Sequence, residues 1–367
     1  MVRLTRAQQQ ERTRTAVLVA AEAEFAEHGF IAAKVDRIAE RAELTRGAVY
    51  SNFPSKRALY LAVLVDTVER EANDAVPPTF PRAMADALGS FARTWLERLP
   101  LADGTGTDVH PRSLAAVVDD APTRNALARI DRLEVLLFAL ALESCPSVDA
   151  ERTRQVRRAD LVLRLLKGSG PLADPMLGSD PFDVTHACRH LGGLDLADVW
   201  DPPHLPHIAA AHSCREPWTA PGELPDLITG HPVGFEGDGV IAVLGTDRLG
   251  AAEEVVRAAR PGDRVTVAVV TSDPAEIGRL VRLRIVDFTR CLRRVFSPDA
   301  VSRLRLVLDD GALLASAIGV ADAADDTEQA VRIDRGEIVA RARGRGAAHA
   351  AASARASATT RPPGGTP

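Results

Sequence analysis

The sequence predicts an all-α N-terminal two-thirds, a helix-turn-helix head on a helical body, followed by a small α/β sandwich. Three observations carry this. From Thr13 to Lys167 the apolar residues recur mainly at helical spacing. From about Pro217 the texture changes: short apolar runs at Val240–Leu244, Arg264–Val270 and Leu304–Leu308 alternate with the helical patterns Ala251–Ala259 and Pro274–Arg284. Between the two lies a Pro- and His-rich stretch, 172–215, with no sustained period.

The elements follow in order. Residues 1–12 read as a polar arm, and helix one as about Thr13 to His28, with Val17, Ala20, Ala21 and Phe25 on one face and Gly29 as its stop. Val35, Ile38, Ala39 and Ala42 give a second helix, and Leu44 plugs the turn after it. Thr45 is an N-cap, and Arg46–Phe53 a short third helix. Pro54 introduces a fourth, about Ser55–Asn73, which connects head to body. Two helices across so short a turn make a helix-turn-helix, whose second helix can enter a DNA major groove.

The residue types fit that task. Ala48, Val49 and Phe53 can face inward, while Thr45, Arg46, Tyr50 and Ser51 face outward. Arg46 can fork onto a guanine edge, and Lys34, Tyr50, Ser51 and Lys56 suit phosphate oxygens. The full DNA-facing set is Lys34, Thr45, Arg46, Gly47, Tyr50, Ser51, Asn52 and Lys56. The blander alternative is a three-helix packing unit with solvated charges.

Thr13 to Val63, through AAEAEFAEHGF, VDRIAERA, LTRGAVYSNFPSK and ALYLAVL, resembles the N-terminal domain of TetR-family transcriptional regulators. Two positions depart from the family pattern. Glu43 stands where a turn Gly is usual, which asks a non-glycine residue for a strained conformation or shifts the turn slightly, and Lys34 stands where a Thr cap is common. The resemblance implies a homodimer on a palindromic double-stranded DNA operator, with a ligand-binding and dimerisation body and a small-molecule effector of unknown identity. Phe91, Trp95 and Phe138 are then candidate pocket walls, or ordinary core aromatics.

For the body, 82–99 looks helical with Met84, Leu88, Phe91, Trp95 and Leu96 as its stripe, and 100–111 is a polar loop. Helical patterns resume at Arg112–Val118, Thr123–Glu143 and Asp149–Lys167. Leu133–Leu142 is apolar nearly all round and should be buried. Val156, Leu161, Leu163, Leu165 and Leu166 could line a helix-pair interface.

The C-terminal segment, through APGELPDLITGHPVGF, VTVAVVTSDPAEI, LASAIGV and AVRIDRGEIVARARG, resembles a thioredoxin-like or peroxiredoxin-like domain. Where such domains carry the attacking thiolate, this chain reads GTDRLGAA, without Cys, and Thr327-Glu328-Gln329 stands where a Pro is usual. A thiol oxidoreductase needs a thiolate at that turn, so no redox activity is expected and the chain is not expected to be an enzyme. The expected organisation is 13–60 head, 61–200 helical body, 201–215 linker, 216–345 α/β domain and 346–367 disordered tail.

Composition bounds the rest. The 367 residues suffice for two or three domains. The net charge is −5; residues 1–60 hold ten Lys/Arg and seven Asp/Glu, so a +3 head sits on a −8 remainder. Cys145, Cys188, Cys214 and Cys291 form no C-x-x-C pair, which suits a reducing cytoplasm. No signal peptide or membrane-length apolar run is visible, so no membrane partner is expected. No cofactor or metal site is assigned. His186, Cys188, His190, His204, His207, His212 and Cys214 leave open a metal- or redox-responsive regulator, and a thiol oxidoreductase fused to a regulator is the remaining alternative.

Overall fold

Thr5 starts the first helix. Its hydroxyl accepts from the Gln8 amide at 3.2 Å, and the Gln8 side chain accepts from the Thr5 amide at 2.9 Å, a reciprocal capping box. Helix α1 therefore spans Arg6–Ala32 and absorbs residues expected to form a polar arm. Gly29 (φ 67°) interrupts it. Helices α2 (Val35–Arg41), α3 (Arg46–Asn52) and α4 (Lys56–Glu71) follow. The core of this head is Phe25, Ile38, Val49 and Phe53, all buried, with Phe25 edge-on to Tyr60 at 4.9 Å.

The structure, a computed structural model, describes residues 5–71, 80–81, 83–98, 114, 117–145, 154–168, 180–200 and 202–354. The expected loop at 100–111, most of the helical pattern 112–118, and the tail beyond 354 lie outside these residues. The chain forms two compact units. One comprises 1–200, 227–229 and 273–302; the other 201–226, 230–272 and 303–367.

In the helical unit the body is built from α5 (Met84–Leu96), α6 (Ala121–Glu143), α7 (Val156–Gly168) and α8 (Pro181–Leu191). Asp120 caps α6 by accepting from the Thr123 amide at 2.7 Å, with Pro122 in the first turn. The Leu133–Leu142 run is buried apart from the half-buried Leu140. Helix α5 packs on α8, and α6 on α7. A further helix, α10 (Arg279–Arg293), packs on α4, α6 and α5. Sequence pattern alone groups this stretch with the α/β segment, whereas its contacts place it in the helical unit. The amphipathic pattern of 279–293 indicates that one face is covered, and cannot say by what.

The second unit holds a six-stranded sheet in the order β1-β8-β7-β4-β5-β6. These are β1 (His212–Pro217), β4 (Gly239–Gly245), β5 (Arg264–Val270), β6 (Leu304–Leu308), β7 (Glu328–Asp334) and β8 (Glu337–Arg343). A two-stranded ribbon, β2 (Leu224–Pro225) with β3 (Pro232–Val233), lies beside it in sequence. Strands β4, β5 and β6 run parallel, with Val240 opposite Val265 and Val265 opposite Leu304. Strand β7 is antiparallel to β4 and forms a hairpin with β8 around Arg335 and Gly336.

Every residue of β4 is buried, as a strand covered on both faces requires. One face packs Ile241, Val243, Ala268 and Val331 against Leu314 and Ile318 of and just after α11 (Leu313–Ala317). Helix α9 (Ala251–Ala258) contacts β4, and α12 (Ala347–Ser353) contacts α9, β7 and β8. Two expectations change here. The stretch taken as a linker contributes strand β1 from His212, and residues 347–353 of the expected disordered tail are helical, with Ala347, Ala348, Ala350, Ala351 and Ala352 buried. An alanine-rich run is low in complexity yet packs closely, because its side chain costs no rotamer entropy.

Candidate nucleic-acid interface

The turn between α2 and α3 sets the site. Leu44 donates its amide to the Ala39 carbonyl at 2.9 Å, and Glu43 takes φ 55°, the left-handed conformation that a glycine would adopt without steric cost. Thr45 then caps α3, its hydroxyl accepting from the Ala48 amide at 3.2 Å. Lys34, by contrast, offers no side-chain cap to α2; its amide instead donates to Glu24 at 3.2 Å.

Behind α3, Val49 and Phe53 are buried. In front, Thr45, Arg46, Gly47, Tyr50 and Ser51 are exposed, as is Lys34; Asn52 and Lys56 are half-buried. Arg46 pairs with Asp36 at 3.2 Å and lies 5.5 Å from the Tyr50 ring. Both members of that ion pair have side chains 60% exposed, so exchanging Asp36 for a base edge or phosphate costs little. Lys56 donates to the Ile31 carbonyl at 3.1 Å and sits over the Phe30 ring, and Asn52 donates to Ala48 at 2.9 Å. These two side chains are already tethered. The sequence does not single out Asp36 as the resting partner of Arg46; an acidic residue in the first turn of α2 is the available signal.

Phe91, Trp95 and Phe138 come together in the body. Phe91 stacks on Phe138 at 4.2 Å and lies 6.1 Å from Trp95. Phe288 of α10 joins them edge-on, 5.8 Å from Phe91, 6.2 Å from Trp95 and 6.5 Å from Phe138.

The His/Cys window divides between the two units. His186 and His190 are exposed on α8 with rings 4.7 Å apart, while Cys188 is buried, and burial pushes its thiol up to about 11. His204 is instead 2.9 Å from Glu254. Among the described residues the cluster of three candidate metal ligands is Glu24, Glu27 and His28, outside that window, and Arg41 pairs with both acids.

In the α/β unit, a carboxylate occupies the end of the parallel strands. Asp325 accepts from the hydroxyls of Thr246 at 2.8 Å and Thr271 at 2.7 Å, and from the Ser272 amide at 3.2 Å and hydroxyl. Burial would raise its pKa, but the donation by Ser272, Thr271 and Thr246 outweighs it and holds the carboxyl below its ordinary value. Glu328, three residues further on, is buried and pairs with Arg248.

A capped, solvent-facing helix set across a short turn, with its rear buried in a small helical core, defines a helix-turn-helix DNA-binding protein. Residues 17–63 match the model of the bacterial regulatory proteins, tetR family. The N-terminal region is thus that of a TetR-family DNA-binding transcriptional regulator.

Among solved structures the chain is similar to a TetR transcriptional regulator from Rhodococcus sp. RHA1 (22% identity, 50% of this chain and 96% of that one, TM-score 0.31). It is also similar to RolR in complex with the ligand resorcinol (20% identity, 53% and 100%, TM-score 0.29). A third is a TetR-family transcriptional regulator from Mesorhizobium loti MAFF303099 (20% identity, 51% and 95%, TM-score 0.23). A search of curated proteins found no match. Among the described residues no helix is long and apolar enough to cross a membrane.

Proposed function

We propose that the chain is a homodimeric repressor that grips a palindromic operator through α3 of each copy and is released when a small-molecule effector binds. It acts on double-stranded DNA in the cytoplasm. The observation that carries this reading is the two-sided character of α3, with Val49 and Phe53 buried behind and Thr45, Arg46, Tyr50 and Ser51 exposed in front. Two such helices must meet major grooves about 34–36 Å apart, one turn along the duplex. A ligand that favours another head separation weakens binding through its differential affinity for the two states.

Dimerisation is supported by apolar side chains that one chain leaves uncovered, Leu161 of α7 at 42% and Phe182 of α8 at 83% exposed. The effector site is assigned to Phe91, Trp95 and Phe138, and an effector there must take the space that Phe288 fills.

The α/β unit is read as thioredoxin-like without redox activity. Its strand order supports the fold: parallel β4 and β5, with the β7–β8 hairpin antiparallel on the other side of β4. Thr246 stands at the end of the first central strand, and the Asp325 hydrogen bonds fill that end of the sheet with satisfied polar groups. Burial also pushes the Cys214 thiol up, so its thiolate is scarce at neutral pH.

The test is selection of duplexes from a random pool with the full chain. A two-half-site consensus is expected, and Arg46→Ala should weaken binding to it by about 1–3 kcal/mol while leaving unrelated duplexes nearly unaffected. A pool that yields no preferred sequence would sink the repressor reading. Equal operator binding by wild type and variant would remove Arg46 as a reader.

A further inference from the structure

The helical unit is completed by a segment that is remote in sequence. The chain leaves the sheet after Val270 at the end of β5, contributes residues 273–302 to the helical unit, and returns to the sheet at Leu304. Within the helical unit this segment touches two functionally distinct places.

The first is the aromatic site. Phe288, 1% exposed, lies edge-on to Phe91, Trp95 and Phe138, and Phe296 lies 6.1 Å from Phe138. The second is α4, the helix that follows directly from the DNA-facing α3. Glu276 accepts from the hydroxyl of Ser55, the residue whose oxygen caps α4 at the Ala58 amide, and from Arg57 Nε. Arg279 donates to the Ala58 carbonyl at 3.1 Å, and Arg282 pairs with Glu69 at 2.6 Å. Contacts therefore run from the first turn of α4 to its last. Further anchors hold the segment to the body: Arg284 pairs with the buried Glu134 at 2.7 Å and Arg98 pairs with Asp287.

The geometry points to residues 273–302 as a built-in occupant of the effector site and the switch element of the regulator. Seated, the segment fills the aromatic site with Phe288 and fixes the pitch of α4, which holds the head in its operator-binding pose. Unseated, it frees α4, and the two heads of a dimer must then be ordered at the moment of binding, at a cost to operator affinity. This inference rests on the repressor reading and identifies its release step as loss of the seat. A tethered occupant meets its site at a high effective concentration, so the seated state is the default one.

The entry of the segment is also fixed. Asp325 holds Thr271 and Ser272 at the end of β5, and the next residue, Asp273, accepts from the Glu276 amide at 3.0 Å. The chain passes from one unit to the other between Ser272 and Asp273. The chemistry of the site defines what competes for it: an apolar group the size of a benzyl side chain, with no charged partner required.

The experiment uses the full-length chain, a palindromic duplex selected with it, an unrelated duplex, and the variants Glu276→Gln and Glu276→Gln/Arg282→Gln. Operator affinity is measured beside amide hydrogen exchange over 279–293 and 56–71. The expected result is faster exchange in both stretches and operator binding weakened tenfold or more in the double variant, with the unrelated duplex bound within twofold of wild type. Operator binding within twofold of wild type alongside faster exchange in 279–293 overturns the proposal, because the seat is then not coupled to the head. Unchanged exchange in the double variant also overturns it, because these contacts then do not hold the segment. If no duplex is selected, the repressor reading fails instead. Exchange in 56–71 then still decides whether the segment controls α4: acceleration supports coupling, and unchanged exchange overturns it.

Discussion

Replacing Phe288 by alanine asks whether residues 273–302 belong energetically to the helical unit. The side chain is 1% exposed and meets three aromatic rings with centroids at 5.8, 6.2 and 6.5 Å. Truncating a buried Phe to Ala costs about 3–5 kcal/mol, made up of lost transfer free energy and the cavity left behind. The edge-on pairs are each worth about 0.5–1.5 kcal/mol beyond area burial, which places this site in the upper half of that range, near 4 kcal/mol. The assay is urea unfolding followed by circular dichroism at a helix-sensitive wavelength, with the two units allowed separate transitions. For a slope of about 2 kcal/mol/M, the midpoint of the helical transition should fall by about 2 M. A fall of less than about 0.5 M would refute the reasoning, since Phe288 would then contribute less than about 1 kcal/mol, far below the cost of truncating a buried Phe.

Two further predictions concern the head and its junction with the body. Glu43→Gly relieves a left-handed non-glycine residue (φ 55°), and thermal unfolding should show the variant more stable by roughly 0.5–1 kcal/mol after the added chain entropy of glycine is subtracted. Asp120 is held down to about 2, chiefly by the Thr123 amide and then by Arg57. Its lowered folded-state value means its contribution is present above the ordinary carboxylate range and fades as pH falls toward 2. The stability gap between wild type and Asp120→Asn, measured by urea titration, should therefore narrow between about pH 4 and pH 2.

Local signals were the legible part of the sequence. The Thr45 cap, the inward pair Val49 and Phe53, and the strained Glu43 all depend on residues within a few positions of one another, and the structure holds each of them. Strands Arg264–Val270 and Leu304–Leu308 read correctly because a strand buried on both faces is a continuous apolar run bounded by turn residues. Strand β1 did not, since five of its six residues are exposed and the strand forms the sheet edge, leaving no alternation to read. The start of α1 was hidden by a polar composition, although Thr5 and Gln8 already spelled its capping box. The placement of α10 was beyond reach for a different reason. Its period shows a covered face, but the partners Glu69, Phe91 and Glu134 lie far away in the chain, and nothing local selects them.

That placement has a consequence for synthesis. A ribosome finishes α5 and α6 long before it reaches Phe288, so the nascent body carries Phe91 and Phe138 without their lid while the first strands of the sheet are still emerging. The DNA-facing head can close early on its own core, but the body behind it must wait for a late delivery, and a chain interrupted near residue 200 would present an uncovered aromatic surface to the cell.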